Sequence, residues 1–161
     1  MIDAQGSRGA DYAAVDALAA WSDWLPFGEA TRMIERLPGV YSMRVGASIV
    51  YVGMAGERAG SGSRKPEGMR GRLSRHTSGK AAASGFGEAA LDRALADVGF
   101  VSQQLIALTE GQPRRVTRWA KDAIEWHNVE LRWTTCAGGF AARQLESQII
   151  LLLRPHGLWN R

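Results

Sequence analysis

The sequence predicts a single α/β domain, of the α+β type, in which helices flank a small, mostly antiparallel sheet of three strands. Two observations predict it. Segments with helical spacing are interrupted by short runs of β-branched and aromatic residues bounded by glycine. The 161 residues are also enough for one domain with its own core. We find no internal repeat, low-complexity tract or interdomain linker.

The N-terminal part is predicted to be helical. From Asp11 to Trp24 the chain is rich in alanine, and its apolar residues share one face, which indicates an amphipathic helix. Pro26 is expected to end this helix. The segment GEATRMIERL is predicted to form a second short helix before Pro38.

Two strands are predicted next, Gly39–Val45 and Ser48–Met54, with Gly46 as the turn residue. The length of the loop between these strands decides which face of the sheet each tyrosine side chain occupies. A three-residue loop would place Tyr41 opposite Tyr51 on one face of the sheet, whereas a two-residue turn would send the two tyrosines to opposite faces. The residues alone leave both loops open.

The rest of the chain is predicted to be mostly helical, with one further strand. A glycine-, serine- and lysine/arginine-containing loop comes first, and its sequence does not match the phosphate-binding loop of NTPases. In order, the predicted elements are the loop Gly56–Gly68, a helix that starts at Met69–His76, helical spacing from Glu88 with a break near Gly99, a helix opened by Pro113, a strand over Val129–Ala137, and a helix over Phe140–Arg154 stopped by Pro155.

Charge and composition restrict the function classes. The formal net charge is +4 and the pI about 9.7, which favours an anionic partner such as nucleic acid. The single cysteine, Cys136, excludes an internal disulfide framework. The longest aliphatic run, Ile149–Leu153, is too short to span a membrane, and the N-terminus does not read as a signal peptide. We therefore expect a cytoplasmic protein with no membrane partner.

Four polar residues are candidates for chemistry. Arg72 and His76 are four apart and project from one helix face, although a solvated basic face has the same pattern. Glu146 lies in an apolar helix, where it is either functional or a boundary residue that pairs with Arg143. Asn160 is near the end of the chain, where an isolated polar residue is usually part of a frayed tail.

Taken together, the ordered residues resemble the GIY-YIG nuclease family. The two motifs are present as Gly39-Val40-Tyr41 and Tyr51-Val52-Gly53, followed by Arg72, His76, Glu146 and Asn160. The resemblance covers Leu37 to Asn160. It divides the chain into an N-terminal helical extension (1–36), the hairpin and first core helix (37–83), a helical insertion of about two helices (84–128), and a last part with the third strand, the glutamate helix and the C-terminal segment (129–161).

The resemblance implies a Mg²⁺-dependent (or Mn²⁺-dependent) DNA endonuclease that hydrolyses phosphodiester bonds with water, of a restriction or defence type. Double-stranded DNA is the expected partner, and a homodimer is one option. Two alternatives stay open: a repair or branched-DNA nuclease, and a nucleic-acid-binding module of the same fold that does not cut. An intact set of six candidate residues favours cleavage.

The resemblance also implies roles for individual residues. Glu146 would be the metal ligand, and Arg72 would donate a planar fork to the phosphate. Tyr41 would position or deprotonate the attacking water, although a tyrosine is a weak base near neutral pH. His76 and Tyr51 would share in proton transfer or bind the phosphate, and Asn160 would orient a loop or hold the site closed.

Basic residues in two stretches and on the first core helix are candidates for DNA contact. For the second stretch, a solvated helix face is the simpler interpretation. The candidates are Arg58, Arg64, Lys65, Arg75, Arg114, Arg115, Arg118 and Lys121.

A shared site requires the two tyrosines on one face. We therefore predict an odd-numbered or bulged hairpin loop with Gly46 at positive φ, so that Tyr41 and Tyr51 share a face with Arg72 and Glu146. Simple alternation also places Ile49 on the same face as Tyr51.

Overall fold

The computed structural model describes residues 4–57, 67–83, 85–112 and 115–160. Within these residues the chain forms seven α-helices and a sheet of four strands. In chain order they are α1 (Ala4–Ala17), β1 (Leu25–Pro26), α2 (Phe27–Met33), β2 (Gly39–Val45), β3 (Ser48–Ala55), α3 (Gly68–Thr77), α4 (Gly85–Leu95), α5 (Val98–Thr109), α6 (Val116–Trp126), β4 (Glu130–Thr135) and α7 (Gly139–Leu153).

The sheet is antiparallel throughout, with the strand order β1-β4-β2-β3. The predicted mixed class is therefore correct at the level of α+β, but the sheet has one strand more than expected. Leu25 pairs with Leu131 and Pro26 with Glu130. Pro26 is tolerated there because β1 is an edge strand, whose outer side needs no N–H donor. The prediction that Pro26 ends the first helix is therefore wrong, because that helix ends at Ala17.

The hairpin between β2 and β3 has a two-residue turn and a bulge. Val45 pairs with Ser48, and Gly46 has a φ of 57°. Arg44 pairs with Ile49 but Met43 pairs with Tyr51, so β3 contains one extra residue. A two-residue turn without a bulge would send Tyr41 and Tyr51 to opposite faces of the sheet. The extra residue in β3 returns them to the same face.

The prediction that Tyr41 and Tyr51 share a face is confirmed. Tyr41 lies opposite Gly53 and Met43 opposite Tyr51, and directly paired residues project to the same side. The predicted place of Ile49 is wrong. The bulge turns Ile49 to the other side, where it packs with Val40 and Val52.

The core is divided by the sheet. We call the two sides the Tyr41 face and the Val40 face. Residues of α2, α3 and α4 cover the Tyr41 face, whereas residues of α1 and α7 cover the Val40 face. A third apolar cluster joins α4, α5 and α6. Hence the candidate residues of α3 approach the sheet from one side and those of α7 from the other.

The segment 84–128 contains three described helices rather than about two. The break between α4 and α5 precedes Gly99, because the Asp97 side chain accepts a hydrogen bond from the Gly99 N–H (2.8 Å) and begins α5 there. The first helix of the segment is part of the main core, since Phe86 is fully buried against the Tyr41 face.

The N-terminal helix ends earlier than predicted, at Ala17. The Trp21 indole donates to the Val15 carbonyl (3.0 Å). Arg132 of β4 then lies against the rings of Trp21 and Trp24, at 4.5 and 4.6 Å from their centroids. Because Trp21 and Trp24 make these contacts, the helix does not continue to Trp24, although the apolar residues of the segment have helical spacing. None of the described helices combines the length and the apolar character that crossing a membrane requires.

Candidate active site

The glycines of the two motifs make room for side chains of the site. A Cβ atom on Gly53 would lie 2.5 Å from the ring carbon Cζ of Tyr41, so the ring occupies the place of a side chain. A Cβ atom on Gly39 would meet the Thr134 carbonyl oxygen and the Met69 side chain. Gly39 therefore lets β4 and α3 approach β2, and Gly53 lets the Tyr41 ring lie flat on β3.

Tyr41 is the central residue of this arrangement. Its side chain is 1% exposed, and the Arg72 side chain lies close enough to the hydroxyl to act on its pKa. Burial raises the pKa of Tyr41 well above its ordinary value; Tyr51 adds to the shift and Arg72 opposes it. At neutral pH Tyr41 is therefore a neutral phenol beside a cation.

Arg72 is brought to Tyr41 by the packing of α3. Met69 and Leu73, on the inner side of this helix, are fully buried against the Tyr41 face. Arg72 itself is exposed. Arg72 thus lies next to the buried Tyr41 hydroxyl and remains accessible to a phosphate in solvent.

Tyr51 is half-buried beside the first turn of α4. Its hydroxyl lies near the Phe86 backbone, which acts on its pKa, and a Cβ atom on Gly85 would lie 3.2 Å from the hydroxyl oxygen. Burial raises the pKa of Tyr51, and the Arg72 charge opposes the shift. The insertion therefore contributes backbone atoms to the site.

Glu146 comes from the other side of the sheet, which corrects the expectation that it shares the Tyr41 face. Its helix, α7, packs on the Val40 face, and the carboxylate lies near the Met54 backbone of β3, the outer strand of the sheet. Burial raises the pKa of Glu146, whereas the charges of Arg143 and Arg72 oppose the shift. The Glu146 charge in turn contributes to the raised pKa values of Tyr41 and Tyr51.

The position of α7 is fixed at its start. The Gly139 N–H donates to the Glu57 carboxylate (3.0 Å), at the end of β3. That hydrogen bond, together with one to the backbone of Glu57 itself, holds the pKa of Glu57 below its usual range. Glu57 therefore couples the strand that carries Tyr51 to the helix that carries Glu146.

His76 is buried next to Phe86, with ring centroids 5.9 Å apart. Burial lowers the pKa of His76 to about 4, and the charges of Arg72 and Arg75 act in the same direction. Its Nδ1 atom has no hydrogen-bond partner among the described residues. The imidazole is therefore neutral at pH 7 and keeps an unused polar atom.

A small recess of about 20 Å³ lies beside α3 and the start of α4, and neither Tyr41 nor Glu146 lines it. Tyr51, Arg72, Arg75 and His76 line it, together with Ala81 and Gly85. The volume is sufficient for about one water molecule.

Asn160 is not a frayed tail residue. Its side-chain amide accepts from the Val52 N–H (3.0 Å) and donates to the Val52 carbonyl (2.6 Å), as a neighbouring strand would. The Trp159 N–H donates to the Val50 carbonyl (2.6 Å). The C-terminal segment therefore covers the edge of β3 next to the Met54 backbone that Glu146 approaches.

The candidates for DNA contact are dispersed. Arg75 lines the recess. Arg115, Arg118 and Lys121 lie on or beside the exposed side of α6, away from the recess lining, and Arg118 pairs with Asp122 (3.0 Å). Outside the described residues lie Arg58, Arg64, Lys65 and Arg114.

The sequence interpretation missed the aromatic support of the site. Phe86 lies 5.3 Å from the Tyr51 ring and is stacked on Trp159, with centroids 5.8 Å apart and an interplanar angle of 7°. The Arg93 guanidinium lies over the Trp159 ring, 4.5 Å from its centroid. Nothing in the local sequence distinguishes Phe86 from an ordinary core residue.

No group of three or more His, Cys, Asp and Glu side chains in the described ranges is arranged to hold a metal ion. Comparisons of the chain with known proteins add no relative: no family model, curated protein or solved structure matches it.

Proposed function

We propose that this protein is a Mg²⁺-dependent DNA endonuclease, directed at double-stranded DNA in the manner of a restriction or defence enzyme. The observation that supports this most is the proximity of Arg72 to the buried Tyr41 hydroxyl, on whose pKa Tyr51 and Glu146 also act. An arginine, a carboxylate and two phenols at one edge of a basic protein suit the chemistry of a phosphodiester.

Arg72 binds the phosphate in this proposal. Its guanidinium lies beside the Tyr41 hydroxyl and has donors for two oxygens of the phosphoryl group. Arg75 adds positive charge at the recess. Because the arginine lies beside the Tyr41 hydroxyl before substrate arrives, the charge needs little reorganisation during reaction.

Tyr41 positions the attacking water rather than serving as a free base. Burial keeps its phenol neutral, so it donates or accepts a hydrogen bond to orient the water for in-line attack. Tyr51 is a second neutral hydroxyl near the same point. His76 supplies a neutral imidazole with an unused Nδ1, and the arginines beside it disfavour its protonated form.

The Glu146 carboxylate fits a divalent cation. It is half-buried, lies near the Met54 backbone of the outer strand, and has two arginines whose charges act on it. Mg²⁺ is commonly held through one or two carboxylates and retains water. When bound, the ion would stabilise the negative charge on the leaving oxygen.

The test is incubation of the full chain with plasmid and with phage DNA, in Mg²⁺ or in EDTA, followed by analysis of the ends. We expect nicked or linear products in Mg²⁺ and none in EDTA. Binding of DNA without cleavage in either Mg²⁺ or Mn²⁺ would favour a non-cutting module and contradict the proposal.

A further inference from the structure

A second, larger cavity lies on the other side of α3 from the recess. Its volume is about 680 Å³, within the range of sites that hold small molecules and cofactors. It is bounded by α2, α3 and α6, and we call it the α2–α3–α6 groove. His76 lines both the groove and the recess, so the two cavities share a wall.

The floor of the groove is apolar and rigid. Phe27, Ile124 and Val129 line it and belong to the main core, each less than 9% exposed. A floor that includes the Phe27 ring is apolar, as the surfaces on which nucleobases pack are. The base would lie against buried side chains that do not need to move.

The rim of the groove is mainly cationic. Arg32, Arg70 and Lys121 line it, against one carboxylate, that of Glu125. The Arg70 guanidinium is anchored on the Arg32 carbonyl oxygen (2.5 Å). An apolar floor under a cationic rim suits a ligand that combines a flat ring with a negative charge.

A polar residue that could read a base edge stands at the end of α6. Asn128 lines the groove, is exposed, and adopts a left-handed conformation with a φ of 49°. Its side-chain amide can both donate and accept, as the edges of bases require.

We propose that the α2–α3–α6 groove holds one unstacked nucleotide of a DNA strand that is also bound, through another of its phosphates, at Arg72. The base rests on Phe27 and Ile124, and the phosphate meets Arg70 and Lys121. The connection is α3, which presents Arg72 to the recess and Arg70 to the groove. This inference rests on the proposed function in taking DNA as the ligand, but it concerns binding and not cleavage.

The test uses the full chain carrying Glu146→Gln, with isotope-labelled isoleucine methyl groups. The Ile124 methyl reports on the groove, and Ile149, buried on the Val40 face, is the control signal. The probes are a mixed-sequence single-stranded 12-mer, a duplex of the same sequence, and the four deoxynucleoside monophosphates. We expect a saturable shift of Ile124 with the 12-mer or the duplex and no shift of Ile149.

A blocking variant sharpens the test. Thr31→Trp fills the groove from α2, and Met33→Trp, on the same helix outside the groove lining, is its matched control. Thr31→Trp should abolish the Ile124 shift and weaken DNA binding about tenfold, the loss of roughly one stacked base. Met33→Trp should change neither.

The outcomes separate the two proposals. DNA cleavage in Mg²⁺ with no Ile124 shift would overturn the groove and leave the nuclease standing. An Ile124 shift with DNA in a protein that never cuts would support the groove and contradict the nuclease. A shift with monophosphates alone would assign the groove to a free nucleotide and overturn the strand proposal.

Discussion

The two faces of the sheet bury polar side chains in different ways. On the Val40 face, Arg132 is 6% exposed, but it pairs with Asp16 at 2.7 Å and lies against the rings of Trp21 and Trp24. Only its Nε atom lacks a described partner. The cluster secures the N-terminal extension to the sheet.

On the Tyr41 face, burial instead shifts the pKa values of the groups it surrounds and so reinforces their neutral forms. The pKa values of Tyr41 and Tyr51 are raised and that of His76 is lowered, with burial the largest cause in each case. A polar cluster that only holds a structure together satisfies its charge, as Arg132 does. A cluster that keeps neutral acids and bases beside an exposed arginine has the character of a reactive site.

Of the variants that compare the two faces, Arg72→Lys on the Tyr41 face is expected to change the cleavage rate most. A lysine cannot replace the planar fork of arginine, so cleavage should fall about a hundredfold, nearly as far as in Arg72→Ala. Single-turnover cleavage measures it, with Arg154→Lys, an exposed site, as the control. If Arg72→Lys cut at close to the wild-type rate, Arg72 would act through its charge alone.

A smaller effect is expected from Gly53→Ala. The added methyl group would meet the buried Tyr41 ring, so the ring must shift, at a cost of about 1–3 kcal/mol in stability. Cleavage should fall about tenfold because the hydroxyl moves. Gly56→Ala is the matched control, since its Cβ atom would meet its nearest neighbour at an ordinary 3.5 Å. Equal activity of both variants would show that the Tyr41 position is not critical.

The buried imidazole makes stability depend on pH. The folded pKa of His76 is about 4, below the ordinary value of about 6.5. Between these values the unfolded chain binds a proton at His76 that the folded chain does not. The free energy of unfolding therefore falls as the pH drops from 6.5 toward 4, and His76 causes no such loss above pH 6.5. The loss is about 3 kcal/mol. Urea unfolding from pH 7 to 4 should show it in the wild type and not in His76→Gln. Parallel curves for the two proteins would contradict the buried, neutral state of His76.

The smallest effect belongs to the Val40 face. Asp16→Ala removes the partner of Arg132 and should cost about 1–2 kcal/mol in unfolding free energy. Cleavage by the folded protein should not change, because the pair joins α1 to β4, which lies two strands away from the β3 edge that Glu146 approaches. Asp23→Ala, an exposed carboxylate nearby in sequence, is the control. A loss of cleavage in Asp16→Ala without a loss of stability would break the distinction between the faces.

The sequence predicted those features that depend on local pattern. The order of the elements follows from spacing and from glycine and proline, and the hairpin follows from β-branched runs around Gly46. The shared face of Tyr41 and Tyr51 was predicted as well, although the bulge that produces it could not be placed. A bulge is fixed by packing on both sides of the strand, and local sequence does not contain that information.

The features that the sequence missed depend on distant contacts. The strand Leu25–Pro26 forms because β4 offers a free edge more than 100 residues later. Glu146 reaches the tyrosines from the opposite face because β3 is an edge strand. Phe86 supports Tyr51 and His76 from a segment that sequence reasoning treated as an insertion.

The most direct test of the account is a comparison of Glu146→Gln with the wild type, in which cleavage and DNA binding are measured on the same preparations. Glutamine keeps the shape of the side chain and removes its charge. We predict that cleavage in Mg²⁺ falls at least about a hundredfold while affinity for DNA in EDTA is unchanged. A Glu146→Gln protein that cut DNA at the wild-type rate would contradict the assignment of the reactive site to the edge of β3.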